Sequence, residues 1–196
     1  AASDVYKRQL EHVAKNPAIF DFKKLDWING QHIRRMTPEA FFDLAKPFMV
    51  EAGCMTGDET GERLEWLRKV IATAQTQVDY GTQIPEKVAF YFTDEFEFES
   101  EEAAAVLHEE TVPLVLRSLK AELEALPVLD RDGVKACFKK VQKGNKLKGQ
   151  QVYMPVRVAL TGSQHGPELA EMIPLMGLER VERRVAKSLA RAGITL

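Results

Sequence analysis

The chain of 196 residues is 45% hydrophobic and 29% charged, with a formal net charge of −2 at pH 7. It is long enough to bury a core in one or two domains, and no apolar run approaches the roughly 18 residues that a membrane-spanning helix needs. A soluble globular protein without membrane contact is therefore expected, and the small net charge gives no general argument for nucleic-acid binding.

The first nine residues, AASDVYKRQ, differ in character from the rest of the chain. They resemble the in-frame translation of a transposon-type sequencing adapter, and they lack the apolar stretch and cleavage site of a signal peptide. We expect residues 1–9 to be non-native and the natural chain to extend upstream of Leu10.

Residues 23–35, KKLDWINGQHIRR, place cations on both sides of an apolar centre. This pattern predicts an amphipathic helix whose apolar residues pack into a core. Those apolar residues are Leu25, Trp27, Ile28 and Ile33. The flanking cations are either solvated or in contact with phosphates, and they are Lys23, Lys24, Arg34 and Arg35.

Proline, glycine and capping residues mark the next helices. Thr37 before Pro38 predicts a helix from about 38 to 52 that ends at Gly53. Apolar residues spaced by three and four predict a second helix over 59–72, and Pro85 opens a third.

The second half continues in the same way. A leucine stripe over 116–126 predicts a helix that ends before Pro127, and Asp130 caps a helix that reaches Gly144. Pro167 begins a further helix, Gly177 breaks it, and a last helix carries apolar residues spaced by four, at Val181, Val185 and Leu189. Residues 152–160 could be a short strand or a bridging segment, although Pro155 argues against a central strand. The expected architecture is mainly all-α, with two helical bundles behind an N-terminal helical segment.

Charge is unevenly distributed along the chain. Residues 94–110 carry a formal charge of −8 with no Lys or Arg, and residues 131–157 carry +7. We expect the acidic run to be a solvated face. The basic run could be a solvated face or a phosphate-binding surface.

Catalytic and metal-binding motifs are absent from the sequence. It contains no HExxH, GxSxG or GxGxxG pattern, and its four histidines lack metal-ligand spacing. Cys54 and Cys137 are isolated, so they predict neither a disulfide framework nor a zinc site and favour a reducing, cytoplasmic setting. The chain is predicted to be a binding module without catalytic residues, cofactor or metal of its own.

Four segments resemble a known family. Residues 20–34, FDFKKLDWINGQHIR, are similar to the KLDWxNGxYIR signature of bacterial-type glutamyl-tRNA synthetases. PVRVALTGS at 155–163, HGPEL at 165–169 and LMGLERV at 175–181 are similar, in the same order, to the PLRxALTGS, GPxL and LLGKERV blocks of that family.

The resemblance implies a carboxy-terminal fragment of a class I aminoacyl-tRNA synthetase. Residues 10–53 would be the end of the stem-contact region, and residues 54–128 and 129–196 two helical anticodon-binding domains. Glutamate, ATP and Mg²⁺ would be used by a catalytic domain that this chain lacks, so the fragment alone should be inactive. The implied partner is glutamate tRNA rather than DNA, and the implied state is a cytoplasmic monomer.

The resemblance also implies which residues contact tRNA. The anticodon bases would be met by Arg157, Gly166, Pro167 and Leu169, where Leu169 would offer an apolar surface to a base. The tRNA backbone would be met by the exposed cations of the two basic segments, namely Lys23, Lys24, Arg34, Arg35, Lys139, Lys143 and Lys146.

One position departs from the family pattern. Gln77 stands where many members carry an arginine that helps to distinguish glutamate tRNA from glutamine tRNA. Because glutamine lacks the cationic fork of arginine, relaxed specificity toward glutamine tRNA is one hypothesis, and a neutral change compensated elsewhere is the other. A freestanding helical tRNA-binding or protein-interaction module without catalysis remains the alternative function.

Overall fold

The computed structural model describes residues 21–95 and 97–194, so the prediction for residues 1–9 lies outside the described part. Within those two ranges the chain forms ten α-helices and two short 3₁₀-helices, and no strand occurs there. None of the helices described is both long enough and apolar enough to cross a membrane. The expected all-α fold is confirmed.

The helices fall into two groups along the chain. The first group comprises α1 (Phe22–Arg34), α2 (Pro38–Glu51), α3 (Gly61–Ala72), a 3₁₀-helix (Gly81–Gln83), α4 (Ile84–Val88) and a second 3₁₀-helix (Ala89–Tyr91). The second comprises α5 (Glu101–Val106), α6 (Val112–Glu124), α7 (Arg131–Gly144), α8 (Gly149–Thr161), α9 (Leu169–Met176) and α10 (Leu178–Arg191).

Side-chain caps fix several helix starts. The Thr37 hydroxyl accepts a hydrogen bond from the Ala40 N–H at 3.3 Å, with Pro38 at the first helical position. The Asp130 carboxylate accepts one from the Gly133 N–H at 2.7 Å. Such caps satisfy N–H groups that have no partner inside the helix, and both were predicted.

The first bundle is built on α2. Its buried face packs against α3 and α4 around a continuous apolar core. The core residues of these helices include Phe41, Phe42, Met49, Leu67, Val70, Ile71, Ile84 and Val88, each at most 5% exposed.

Helix α1 differs from its prediction. Ile33 is buried at 2% exposure, but Leu25, Trp27 and Ile28 are 48%, 62% and 39% exposed. The expectation that all four pack into a core is wrong for these three, because the hydrogen bonds that tie α1 to the first bundle come from its last turns. There the side chain of Gln75 donates to the Ile33 carbonyl at 2.9 Å.

Asn29 and Gly30 of α1 lie in contact with Asp79. Asn29 Nδ2 donates to the Asp79 carbonyl, and Arg34 pairs with the Asp79 carboxylate at 3.1 Å. A Cβ atom at Gly30 would overlap the Asp79 carboxylate and the Arg34 guanidinium, so a larger residue here would have to displace that ion pair.

In the second bundle, the prediction of a short strand or bridging segment at residues 152–160 is wrong. They form helix α8, which contacts α5, α6, α7 and α10. Pro155 removes one N–H donor from the helix. Burial of Val152, Val156, Val158 and Leu160, each at most 1% exposed, compensates for that loss. A short apolar run fits a buried helix as well as a strand, which is why the pattern alone misled.

The two bundles meet through Trp66. Its indole Nε1 donates to the Leu175 carbonyl at 2.8 Å, and its ring makes edge contacts with Tyr91 and Phe92. Helix α3 thereby packs on α9. The predicted borders at 53/54 and 128/129 separate helices that pack together here, α2 from α3 and α6 from α7.

Candidate nucleic-acid interface

The segment between α8 and α9, residues 162–168, is the loop that the family motifs singled out. It leaves α8 through Gly162 at φ 77°, and Gly166 has φ 151°, both in the region that favours glycine. Gly166 and His165 are exposed, whereas Pro167 is buried. The exposed tip of this 162–168 loop is therefore residues 165–166, flanked by Gln164.

Arg157 supports this loop from α8. Its Nη1 donates to the Pro167 carbonyl at 2.6 Å, and a Cβ atom at Gly166 would lie 3.2 Å from the same nitrogen. Burial lowers the pKa of Arg157. The structure thus brings Arg157, Gly166 and Pro167 together, as the resemblance implies, but part of the guanidinium is held under the loop.

Leu169 is placed differently from its prediction. It is 1% exposed and belongs to the core, so the apolar surface expected of its side chain is not available on the outside. The reason is its position at the start of α9, whose apolar face packs against α7.

Hydrogen bonds within the loop organise its first half. The Thr161 hydroxyl donates to the Arg157 carbonyl at 2.8 Å and accepts from the Ser163 N–H at 3.2 Å. The Ser163 hydroxyl accepts from the His165 N–H at 3.0 Å.

Glu99 reaches this loop from the connection between the bundles. Its carboxylate accepts hydrogen bonds from the Gln164 N–H at 2.6 Å and from the Ser163 hydroxyl, and its own N–H donates to the Gly162 carbonyl at 3.0 Å. Partial burial alone would raise the pKa of Glu99, but the hydrogen bonds outweigh it and the pKa is lowered.

Residues 93–95 and 97–99, here called the acidic strap, differ from the expected solvated face at Asp94 and Glu99, which contact the second bundle, while the other acidic residues of 94–110 are exposed as expected. Asp94 pairs with Arg183 at 3.0 Å and Arg180 at 3.5 Å on α10. The pairs from Glu95 to Lys187 and from Glu97 to Arg191 are longer, at 3.5 Å and 3.8 Å, and the two carboxylates are 87% and 88% exposed. Such exposed pairs stabilise little, so the firm attachment is made by Asp94 and Glu99.

Arg184 of α10 binds the acidic strap from the protein interior. This residue is 2% exposed, and its guanidinium donates to the Leu160 carbonyl at 2.5 Å and to the Thr93 carbonyl at 2.6 Å. Burial lowers its pKa to about 10, so it stays charged at neutral pH. The sequence analysis missed Arg184, although its spacing from Val181 and Ser188 on one face of α10 was a usable signal.

The basic run 131–157 is not one continuous cationic surface. Glu168 holds Arg131 at 2.8 Å and Lys135 at 3.0 Å, which lowers the pKa of Glu168, and Lys140 pairs with Glu122 at 2.8 Å. Exposed lysines without an ion pair in the described part of the chain remain on α7 and the turn after it, namely Lys139, Lys143, Lys146 and Lys148. Lys139 lies one helical turn beyond Lys135, so this stripe begins close to the 162–168 loop.

The cations of α1 lie on the first bundle. Lys23, Lys24 and Arg35 are exposed, while Arg34 is engaged by Asp79. Gln77 is half-buried on the same bundle, and its side-chain amide donates to the Thr73 carbonyl at 2.7 Å. The structure does not bring these residues into direct contact with the 162–168 loop.

No group of His, Cys, Asp and Glu residues suited to a metal ion is found in residues 21–95 and 97–194.

Comparison with known proteins identifies the family. A model described as "Anticodon binding domain" matches residues 40–189. The chain is 42% identical over 189 residues to the glutamate–tRNA ligase of Heliobacterium modesticaldum, covering 95% of this chain and 38% of that protein. It is 40% identical over 176 residues to the Bacillus subtilis glutamate–tRNA ligase, covering 90% and 36%.

A solved structure has the same fold. The glutamate–tRNA ligase of Elizabethkingia meningosepticum, solved in complex with its amino acid, superposes with a TM-score of 0.74 at 22% identity, over 93% of this chain and 35% of that one. The chain spans somewhat more than a third of the length of the curated relatives it matches. Since the family model covers most of the chain, this protein belongs to the anticodon-binding domain family, and the relatives that it matches are glutamate–tRNA ligases.

Proposed function

We propose that this chain binds the anticodon arm and stem of glutamate tRNA as part of a glutamate–tRNA ligase. The match to the anticodon-binding family over residues 40–189 carries the proposal. The whole protein would activate glutamate with ATP and Mg²⁺ and esterify it to the tRNA, and we assign those steps to a catalytic domain outside this chain. On this proposal the chain contributes recognition and not chemistry.

The exposed lysines of α7 and of the turn after it support a backbone contact. Lys139, Lys143 and Lys146 project into solvent without ion pairs in the described residues, and nothing holds them away from a phosphate. Each phosphate neutralised should steepen the dependence of affinity on salt, by about 0.9 in the log–log slope for a duplex and about 0.7 for a single strand.

The tip of the loop supports base recognition. Unstacked anticodon bases expose their edges, and the backbone at Gly166 allows close approach. Arg157 and Pro167 lie directly beneath that tip. Leu169 contributes through its place at the start of α9 and not through its side chain. On α1, Lys23, Lys24 and Arg35 are placed against the tRNA stem, with Arg34 available only if it leaves Asp79.

The test uses this chain, a glutamate tRNA transcript and duplex DNA, with binding followed by fluorescence anisotropy at several salt concentrations. We expect preference for tRNA, and a triple variant (Lys139→Gln, Lys143→Gln, Lys146→Gln) that weakens binding and reduces the salt slope by about 2–3. Lys120→Gln is the control, since Lys120 is paired with Glu182 at 3.1 Å. Equal affinity for tRNA and DNA would contradict the proposal.

Specificity at the first anticodon base is assigned to the region of Gln77. The side-chain N–H of Gln77 already donates to the Thr73 carbonyl. Gln77 also lacks the planar guanidinium fork with which arginine reads a base edge. We propose that the whole enzyme also charges glutamine tRNA. Aminoacylation of both tRNAs by the whole enzyme and its Gln77→Arg variant tests this: a strong preference for glutamate tRNA that the substitution leaves unchanged would refute it.

We further propose that the protein is a cytoplasmic monomer. We also propose that the acidic strap is the boundary between its two groups of helices. The strap connects a first group of helices, in which α3 and α4 contact α2, to a second group, in which α5, α6, α7 and α10 contact α8. Sedimentation of the purified chain would test the monomer.

A further inference from the structure

Glu99 is the point at which the acidic strap meets the candidate base-reading loop. Three contacts join them, two to the carboxylate and one from its backbone N–H, and they link positions more than 60 residues apart in the sequence. The strap carboxylates of Asp94, Glu95 and Glu97 instead face α10. Glu99 is therefore the strap carboxylate that acts on the loop.

The loop needs an external support of this kind. Gly162 and Gly166 both have positive φ, and glycines leave the backbone many alternatives when nothing restrains it. The internal bonds made by Thr161 and Ser163 restrain its first half. Glu99 binds the Gln164 N–H immediately before the exposed tip, and Arg157 binds the Pro167 carbonyl immediately after it. The tip is therefore held on both sides.

The strap is itself fixed at its other end. Arg184 holds the Thr93 carbonyl and Asp94 pairs with two arginines of α10, so Glu99 is presented from an anchored segment. Hydrogen bonds to a charged acceptor are about twice as strong as neutral ones. This makes the carboxylate, and not merely the strap backbone, the restraining group.

We propose that Glu99 is a positioning residue for base recognition, holding the 164–166 tip in the conformation that discriminates anticodon bases without touching RNA itself. The inference rests on the proposed function. It predicts loss of selectivity, whereas an acid that merely repelled RNA would, when removed, strengthen binding to every RNA alike.

The experiment compares Glu99→Ala with Glu97→Ala in the full chain. Both substitutions remove one negative charge from the strap, but Glu97 pairs with Arg191 on α10, at 3.8 Å, and not with the loop. Affinities are measured by anisotropy for a glutamate tRNA transcript and for transcripts in which each anticodon base is replaced in turn. The readout is the ratio of cognate to substituted affinity, which a change in charge alone does not move.

Glu99→Ala should reduce that ratio about tenfold, equivalent to about 1.4 kcal/mol of selectivity. Glu97→Ala should leave it unchanged. Glu99→Gln keeps an oxygen for the Gln164 N–H and should restore much of the ratio. Ser163→Ala removes one of the two carboxylate contacts, together with the acceptor of the His165 N–H, and should lower the ratio by a smaller factor.

The outcomes distinguish a failure of the proposed tRNA-binding function from a failure of the positioning role of Glu99. A wild-type chain that binds no tRNA, or binds all anticodons equally, overturns the proposed function and this inference with it. A wild-type chain that discriminates while Glu99→Ala discriminates equally well overturns the inference alone. If circular dichroism shows Glu99→Ala to be unfolded, Ser163→Ala decides: an unchanged ratio in that variant refutes the positioning role.

Discussion

Arg184 offers the sharpest test of how the acidic strap is fastened. Arg184→Met keeps the aliphatic stem but removes the donors to the Leu160 and Thr93 carbonyls, which lie 2.5 Å and 2.6 Å from the guanidinium. Each hydrogen bond from a charged donor is worth about 1.5–3 kcal/mol, and the acceptors would be left without that partner. Removing the buried charge recovers part of its desolvation cost, so we expect a net loss of about 2–4 kcal/mol.

Urea unfolding followed by circular dichroism measures this loss. With a slope of about 2 kcal/mol per molar, the midpoint should fall by about 1–2 M. Arg183→Met is the matched control, because the neighbouring Arg183 is 51% exposed and its pair with Asp94 should contribute less than about 1 kcal/mol. Equal midpoints for the two variants would refute the view that Arg184 is a structural fastening.

Three further outcomes are expected from the geometry. Gly30→Ala should destabilise the chain by about 1–3 kcal/mol in urea unfolding, because its Cβ would displace the paired side chains of Asp79 and Arg34, whereas Gly144→Ala, with open space around it, should not. Trp66→Phe removes the hydrogen bond between the bundles and should cost about 1–2 kcal/mol, and an unchanged midpoint would contradict that role. Because the pKa of Glu99 is lowered in the fold, its stabilising contribution should be complete above its ordinary value of 4.5 and disappear as pH falls through the folded value; the wild type and Glu99→Gln should therefore converge in midpoint at acidic pH.

Local signals predicted the helices well. The Thr37 and Asp130 caps act within three residues along the chain, so their effect is visible in the sequence itself. The apolar run at 152–160 misled because it fits a buried helix as well as a strand, and Pro155 is tolerated inside that helix since surrounding burial compensates for the missing hydrogen bond. The sequence of the segment does not show that other helices will bury it.

Long-range contacts could not be predicted from pattern. Glu99 and Arg184 act on residues 63 to 91 positions away, at Gly162 and Thr93, and no spacing rule links such positions. Exposure of Trp27 was also unpredictable, because an amphipathic pattern indicates that a face is apolar and not what covers it. The candidate site residues Arg157, Gly166 and Pro167 were proposed only through the family motifs.

The acidic strap sets a practical limit on recombining this fold with others. A second bundle excised from residue 101 onward would leave behind both the carboxylate bound to Gln164 and the carbonyl that Arg184 holds at Thr93. A chimera joined there would inherit a 164–166 tip without the Glu99 support and a buried Arg184 guanidinium short of an acceptor. In any chimera that uses the second bundle, the junction between the two sequences should therefore lie before Thr93.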